Sequence, residues 1–190
     1  MKDINILIAG VGGQGTLLAS TILGQLALDG GFDVKLSEVH GMAQRGGSVV
    51  TYARIGQKVY SPLIDLGGAD VLIAFELLEA ERWLPYVKQG GDVYVNSQKI
   101  LPMPVITGAE IYPADLQGRI TKHFPNARFV DALALACQAG SSKAVNTVML
   151  GVLAKSLPFS QEAWLAAMQK TVKEKFLALN TKAFELGLSI

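Results

Sequence analysis

The chain has 190 residues, half of them hydrophobic and 17% charged, and its 17 basic and 16 acidic side chains leave a net charge of +1. That length and apolar content suffice for one substantial core, so a single domain over residues 1–190 is expected. With no basic run, the charge pattern excludes nucleic acid and anionic membrane surfaces as ligands. Met1-Lys2-Asp3 leads straight into an apolar strand, and Asn5, Gln14 and several glycines interrupt any membrane-length run, so a cytoplasmic protein without a targeting segment is expected.

Taken in order, the apolar run Ile4 to Ala9 predicts a strand, Gly10-Val11-Gly12-Gly13-Gln14-Gly15 a tight turn, and Thr16 to Leu28 a helix. No formal charge falls between Asp3 and Asp29, so this helix is expected inside the fold or under a partner. Asp33 to Glu38 predicts a second strand. Ser48 to Ile55 and Lys58 to Tyr60 flank Gly56-Gln57 as a hairpin with a two-residue turn. Val71 to Phe75 predicts a buried strand, Leu77 to Val87 a helix, and Asp92 to Asn96 a strand after the Gly90-Gly91 breaker.

The proline-rich stretch 97–113 offers only Val105-Ile106 and Glu110 to Tyr112 as short strands. Ala114 to His123 then predicts helix, Arg128 to Val130 strand, and Ala132 to Ala139 helix, before the polar break Gly140-Ser141-Ser142-Lys143 and a further helix from Thr147. The tail is helical, with Ser160 as an N-cap and Phe176, Leu179, Ala183 and Leu186 at helical spacing. The expected fold class is α/β: a Rossmann-like, mostly parallel sheet with helices on both faces, a β-hairpin insertion and a helical C-terminus. Ligands of such sheets gather at the carboxyl ends of the strands, where the glycine turn, Glu38 to Gly47, Glu76 and Asn96-Ser97 fall.

Three stretches offer chemistry. The glycine turn presents backbone amides and a helix N-terminus that favour phosphate or carboxylate, through Gly10, Gly12, Gly13, Gln14 and Gly15; the alternative is a turn that lets helix and sheet pack closely. Gly15-Thr16 lacks the Gly-Lys-Ser/Thr ending of a P-loop, while Glu38 stands near the spacing at which a Rossmann enzyme grips a ribose. The second stretch sets the guanidinium of Arg45 beside Gly46 and Gly47, suited to bidentate anion binding or to an ordinary ion pair at a bulge; His40 reads as a hydrogen-bonding wall residue. In the third, Ser142 and Lys143 extend an anion pocket, and Asn146 reads as a helix N-cap or as part of that pocket. Glu76, Glu79 and Arg82 fit dipole and pair effects at a helix start.

Cys137, the single cysteine, lies in an apolar stretch and reads as a small buried hydrophobe. It can form no internal disulfide. Iron–sulfur clusters are usually held by several thiolates, so any electron-transfer centre is expected on another chain.

Gly10-x-Gly12-Gly13-Gln14-Gly15, Glu38-Val39-His40-Gly41-Met42-Ala43-Gln44-Arg45-Gly46-Gly47, Ala69-Asp70-Val71-Leu72 and Asn146-x-x-Met149-Leu150-Gly151 together resemble the gamma-type subunit of 2-oxoacid:ferredoxin oxidoreductases. The His-Gly-Met-Ala-Gln-Arg-Gly-Gly form is most similar to the indolepyruvate-type beta subunit. The resemblance implies a complex that oxidatively decarboxylates an aryl 2-oxoacid such as indolepyruvate with coenzyme A and oxidised ferredoxin. It also implies thiamine diphosphate, Mg and 4Fe-4S clusters on a larger alpha subunit. Thiamine diphosphate sites of such enzymes usually carry Gly-Asp-Gly; here Gly91-Asp92 is followed by Val93. No catalytic residue is therefore assigned to this chain, which is expected to be inactive alone, with no cofactor of its own. Two alternatives stay open: a free-standing flavin or NAD(P) protein using the glycine turn and Glu38, and a purely architectural subunit.

Overall fold

In the computed structural model, which describes residues 3–41 and 46–190, the apolar runs assemble into one six-stranded sheet. The strands are β1 (Ile4–Val11), β2 (Asp33–His40), β3 (Ser48–Gly56), β4 (Ala69–Ala74), β5 (Val87–Asn96) and β6 (Arg128–Val130), in the order β2-β3-β1-β4-β5-β6. β1, β4, β5 and β6 run parallel, and β3 is antiparallel to both β1 and β2. The mostly parallel α/β architecture expected from the sequence is thus observed.

Eight α-helices are found among the described residues: α1 (Thr16–Asp29), α2 (Leu77–Trp83), α3 (Met103–Ile106) and α4 (Leu116–His123) between strands, and α5 (Ala132–Ala139), α6 (Val145–Ala154), α7 (Gln161–Thr171) and α8 (Glu174–Leu188) after the last strand. Alternation along the strands divides the core. Ile6, Ile8, Val71 and Ile73 pack beneath α1 and the helices from α5 to α8, while Leu7, Ala9, Leu72 and Ala74 pack beneath α2 and α4. Both faces of the sheet are covered. No helix among the described residues is long and apolar enough to cross a membrane.

Helix starts follow side-chain chemistry. Glu76, Asp115, Asp131 and Ser160 accept hydrogen bonds from first-turn amides of α2, α4, α5 and α7, as the Ser160 expectation requires. α1 instead begins at Gly15, whose φ of 81° a side chain rarely adopts. α6 and α8 cross at Gly151 and Gly187, where a Cβ on either would collide with a backbone carbonyl of the other helix. The two helices therefore touch backbone to backbone.

Several local expectations are corrected. The hairpin is β2–β3, not a pairing of β3 with Lys58–Tyr60: beyond Gly56 the chain leaves the sheet, its Val59 amide donating to Asp33 and its Ser61 carbonyl accepting from Arg54. Val105-Ile106 belong to α3, because Pro102 and Pro104 suit the start of a helix, and Glu110 to Tyr112 form no strand. The helix after β4 stops at Trp83 and yields to a 3₁₀ turn over Leu84–Tyr86, in which Pro85 lacks an amide donor. β5 begins at Val87 and passes through Gly90-Gly91 instead of starting after it, with its register against β4 shifting between Ala69 and Val71. Cys137 is exposed, since Ala132, Ala136 and Ala139 form the inward stripe of α5 and Cys137 falls beside it. In the tail stripe Ala183 is buried, whereas Phe176 lies near the start of α8 and is half exposed.

Candidate functional site

The carboxyl ends of β1, β4 and β5 are sewn together by two side-chain amides. Gln14 accepts the Val11 amide proton at 2.8 Å and donates to the Phe75 carbonyl at 2.8 Å, and Asn96 donates to the same carbonyl at 3.0 Å. The Asn96 oxygen in turn accepts from the Ala132 amide at 3.2 Å. Gln14 thus serves as a brace for the turn, its two polar atoms committed to backbone. The Gly12 amide donates to the Gly47 carbonyl at 2.8 Å, and the Gly46 amide to the Gly12 carbonyl at 3.3 Å. This pins Gly46 and Gly47 to the glycine turn; Arg45, with Met42, Ala43 and Gln44, lies outside the described residues.

Two clefts flank the glycine turn. One, of about 290 Å³, is lined by Gly12, Gly13, Gln14 and Gly46 on one side and by Ser142, Lys143, Gln98 and Ile100 on the other. Of the residues singled out in the sequence, Gly12, Gly13, Gln14, Gly46, Ser142 and Lys143 line this one opening, whereas Gly10, Gly15, Gly47 and Asn146 do not. Gly13, with φ 103°, faces open space: a Cβ there would meet nothing within 4 Å. The second cleft, of about 380 Å³, is bounded by Gly13, Thr16, Leu17, Glu38 and His40. Its carboxylate is engaged, since Glu38 Oε2 accepts from Thr16 Oγ1 at 3.3 Å and Thr51 Oγ1 at 3.1 Å. Because β3 separates β2 from β1, Glu38 reaches α1 across an intervening antiparallel strand, unlike the adjacent-strand arrangement of a dinucleotide fold. The Glu38 carboxylate thus lines one cleft and Lys143 the other. A larger groove of about 480 Å³, by Glu81, Leu84 and His123, involves the start of β5, away from these strand ends.

Asn146 is not the N-cap of its helix. Ser141 caps a 3₁₀ turn over Ser142–Ala144 through the Lys143 amide at 3.3 Å, so the helix starts one turn early and Asn146 falls inside it. Its side chain is freed to donate to the Gly15 carbonyl at 3.2 Å. Asn146 stands directly behind the turn, where a Cβ on Gly15 would lie 2.7 Å from its amide nitrogen.

From the sequence Glu76 has only a local role, at a helix start. Its buried carboxylate caps α2 through the Leu78 and Glu79 amides at 2.6 and 3.0 Å, and it also accepts from the Ile100 amide at 3.1 Å and the Tyr112 hydroxyl at 2.5 Å. One carboxylate thereby fixes the irregular segment that supplies the Gln98–Ile100 wall of the cleft. Burial, and after it the Glu76 carboxylate, pushes the Tyr112 phenol far above its ordinary range and keeps it a donor. Glu79 is buried beside it, and desolvation raises its carboxyl against the opposing pull of the Ser48 hydroxyl, 2.5 Å away, and of Arg82. The signal for Glu76 was an acid immediately before a predicted helix. Gln98, Ile100 and Tyr112 carried no signal of their own.

A model of the pyruvate ferredoxin/flavodoxin oxidoreductase family matches residues 5–190. The indolepyruvate oxidoreductase subunit IorB of Thermococcus kodakarensis is 41% identical over 193 aligned residues, covering 99% of this chain and 96% of that protein. Among solved structures, the keto/oxoacid ferredoxin oxidoreductase gamma subunit of Geobacter sulfurreducens is 25% identical with a TM-score of 0.70, covering 98% of this chain and 96% of the other. The 2-oxoglutarate:ferredoxin oxidoreductase of Magnetococcus marinus, solved with 2-oxoglutarate, coenzyme A and succinyl-CoA bound, is 22% identical with a TM-score of 0.72; the match covers all of this chain and 31% of that longer one. With near-complete coverage by the family model and by a full-length relative, the chain belongs to the pyruvate ferredoxin/flavodoxin oxidoreductase family, as a gamma-type subunit.

Proposed function

We propose that this chain is the accessory subunit of an aryl 2-oxoacid:ferredoxin oxidoreductase, with indolepyruvate as the representative substrate, and that it supplies the docking cleft for coenzyme A. In the overall reaction the carboxylate leaves the 2-oxoacid as carbon dioxide, the electron pair passes as two single electrons to oxidised ferredoxin, and the acyl group ends on the coenzyme A sulfur as the thiol proton is released. The observation that carries the reading is the convergence of Gly12, Gly13, Gly46, Ser142 and Lys143 on one opening at the carboxyl edge of the sheet. The glycine-turn backbone that lines this opening, together with the Lys143 ammonium, suits the phosphates of coenzyme A. Arg45, between the described residues Gly41 and Gly46, adds a guanidinium able to grip a phosphate bidentately. The relatedness to indolepyruvate oxidoreductase subunits supports the aryl substrate class.

The residues present do not fit thiamine diphosphate or an iron–sulfur cluster. Asp92 lies within β5 paired with Val71 and accepts from Ser156 at 3.0 Å, and Cys137 is a single exposed thiol. Those groups, with Mg, are assigned to a larger alpha subunit, and this chain's share is to bind and orient the acceptor. Replacing Arg45 with alanine in the assembled complex and measuring steady-state constants tests the assignment. A large rise in the coenzyme A KM with little change for the 2-oxoacid is expected; unchanged constants in an intact complex refute it.

A further inference from the structure

Gln98 lines the same cleft as Gly12, Gly46 and Lys143, on a stretch of backbone that is held at several points. The Ser97 amide donates to the Val130 carbonyl at 2.8 Å, the Gln98 carbonyl accepts from the Leu77 amide at 3.2 Å, and the Ile100 amide donates to Glu76 at 3.1 Å. Residues 97–100 are thus fastened to β6 and to the start of α2, although they belong to no regular element.

The hydrogen-bond roles at Asn96 decide which end of the Gln98 side chain is left over. The Ala132 backbone amide can only donate, so the Asn96 atom 3.2 Å from it is the oxygen, Oδ1. Nδ2 is then the opposite end, and its two protons have two acceptors, the Phe75 carbonyl at 3.0 Å and Gln98 Oε1 at 3.3 Å. Asn96 is 0% exposed whereas Gln98 is partly exposed, so the Gln98 oxygen is the inward end of its amide and Nε2 the outward one. Among the described residues this is the only hydrogen bond of the Gln98 side chain, and both Nε2 protons are open to a bound group.

We propose that Gln98 is a binding residue for coenzyme A, presenting Nε2 to a phosphate oxygen in the cleft it shares with Lys143. This rests on the coenzyme A reading above. The side chain is already oriented by a buried partner, so little of its freedom is lost when a ligand arrives.

The test measures coenzyme A binding by calorimetry, using the complex assembled from this chain and its larger partner. Gln98→Glu keeps an oxygen for Asn96 Nδ2 and turns the outward donor into a carboxylate oxygen, so the coenzyme A Kd is expected to rise about tenfold or more. Gln98→Met removes donor and oxygen alike; a smaller rise, about three- to fivefold, is expected, with a lower melting temperature from the Asn96 proton left without an acceptor. A residue that served only to support Asn96 would give the reverse order, with Gln98→Met impaired and Gln98→Glu like the parent. That order, or unchanged binding in both, overturns the proposal. Should Gln98→Glu fail to assemble, Gln98→Lys carries the test: it loses the oxygen as Gln98→Met does but keeps an outward donor, so it should bind coenzyme A more tightly than Gln98→Met, and equal or weaker binding overturns the proposal. Lys143→Ala separates the two levels: if it too leaves the Kd unchanged, the coenzyme A reading fails, and if it alone raises the Kd, only the role of Gln98 fails.

Discussion

Gln14 and Phe75 are joined by a side-chain amide donating to a backbone carbonyl at 2.8 Å, and through that bond the glycine turn after β1 is fastened to the end of β4. Gln14→Ala removes this bond and leaves the Val11 amide without its acceptor, for an expected loss of about 1–3 kcal/mol. Gln14→Glu keeps the acceptor but loses the donor, and it sets a carboxylate against the Phe75 carbonyl. Chemical denaturation of the purified subunit should rank Gln14→Glu below Gln14→Ala.

Gly13 and Gly15 both have positive φ, yet their surroundings differ. Alanine at Gly13 meets open space and incurs only the backbone cost of about 1–2 kcal/mol, whereas alanine at Gly15 also pushes into Asn146. Gly15→Ala should therefore be the more destabilising of the two. Thermal melts of both variants decide, and equal losses would contradict the tether between Asn146 and the turn.

At the α6–α8 crossing no side chain can yield, because an added methyl at Gly187 meets the Val148 carbonyl and neighbouring backbone. Gly187→Ala is expected to cost more than about 3 kcal/mol, separating the two helices and lowering recovery of folded subunit. A melt within a few degrees of the parent would show that the helices slide apart freely.

Glu79 gives a pH dependence. Burial lifts its folded-state pKa above that of the unfolded chain, so the protonated form favours folding; this contribution is present below the unfolded carboxyl's range and lost as pH rises through the raised folded value. Glu79→Gln cannot ionise. Its stability relative to the parent should rise as pH climbs from acid through that range, a trend read from melts at a series of pH values; a difference independent of pH would contradict it.

The strands and helices most legible in the sequence were those with a continuous apolar signal. Arg128–Val130 and Ala132–Ala139 are found at the expected residues, and α1 extends one residue beyond its expected end. What stayed hidden depends on partners distant in sequence. β3 looked like half of a local hairpin because its pairing with β1 leaves no mark within its own residues. Asn146 read as a cap because Gly15, its actual acceptor, lies 131 positions away. Residues 97–113 have no period to read, and their course is set by Glu76 binding Ile100 and Tyr112. For the site, the glycines and the Ser142-Lys143 turn were legible as polar breaks, but their meeting across one cleft is a property of the sheet order.

If this chain lends an anion-binding cleft to a catalyst carried by its partner, reversing the charge at Lys143 must weaken coenzyme A binding. Coenzyme A is titrated calorimetrically into the assembled complex carrying Lys143→Glu. Lys143 is exposed, so the fold should tolerate the change. Binding weakened by about tenfold or more, near 1.4 kcal/mol, is expected, with thiamine diphosphate affinity unchanged. Undiminished coenzyme A affinity in an intact complex would contradict it.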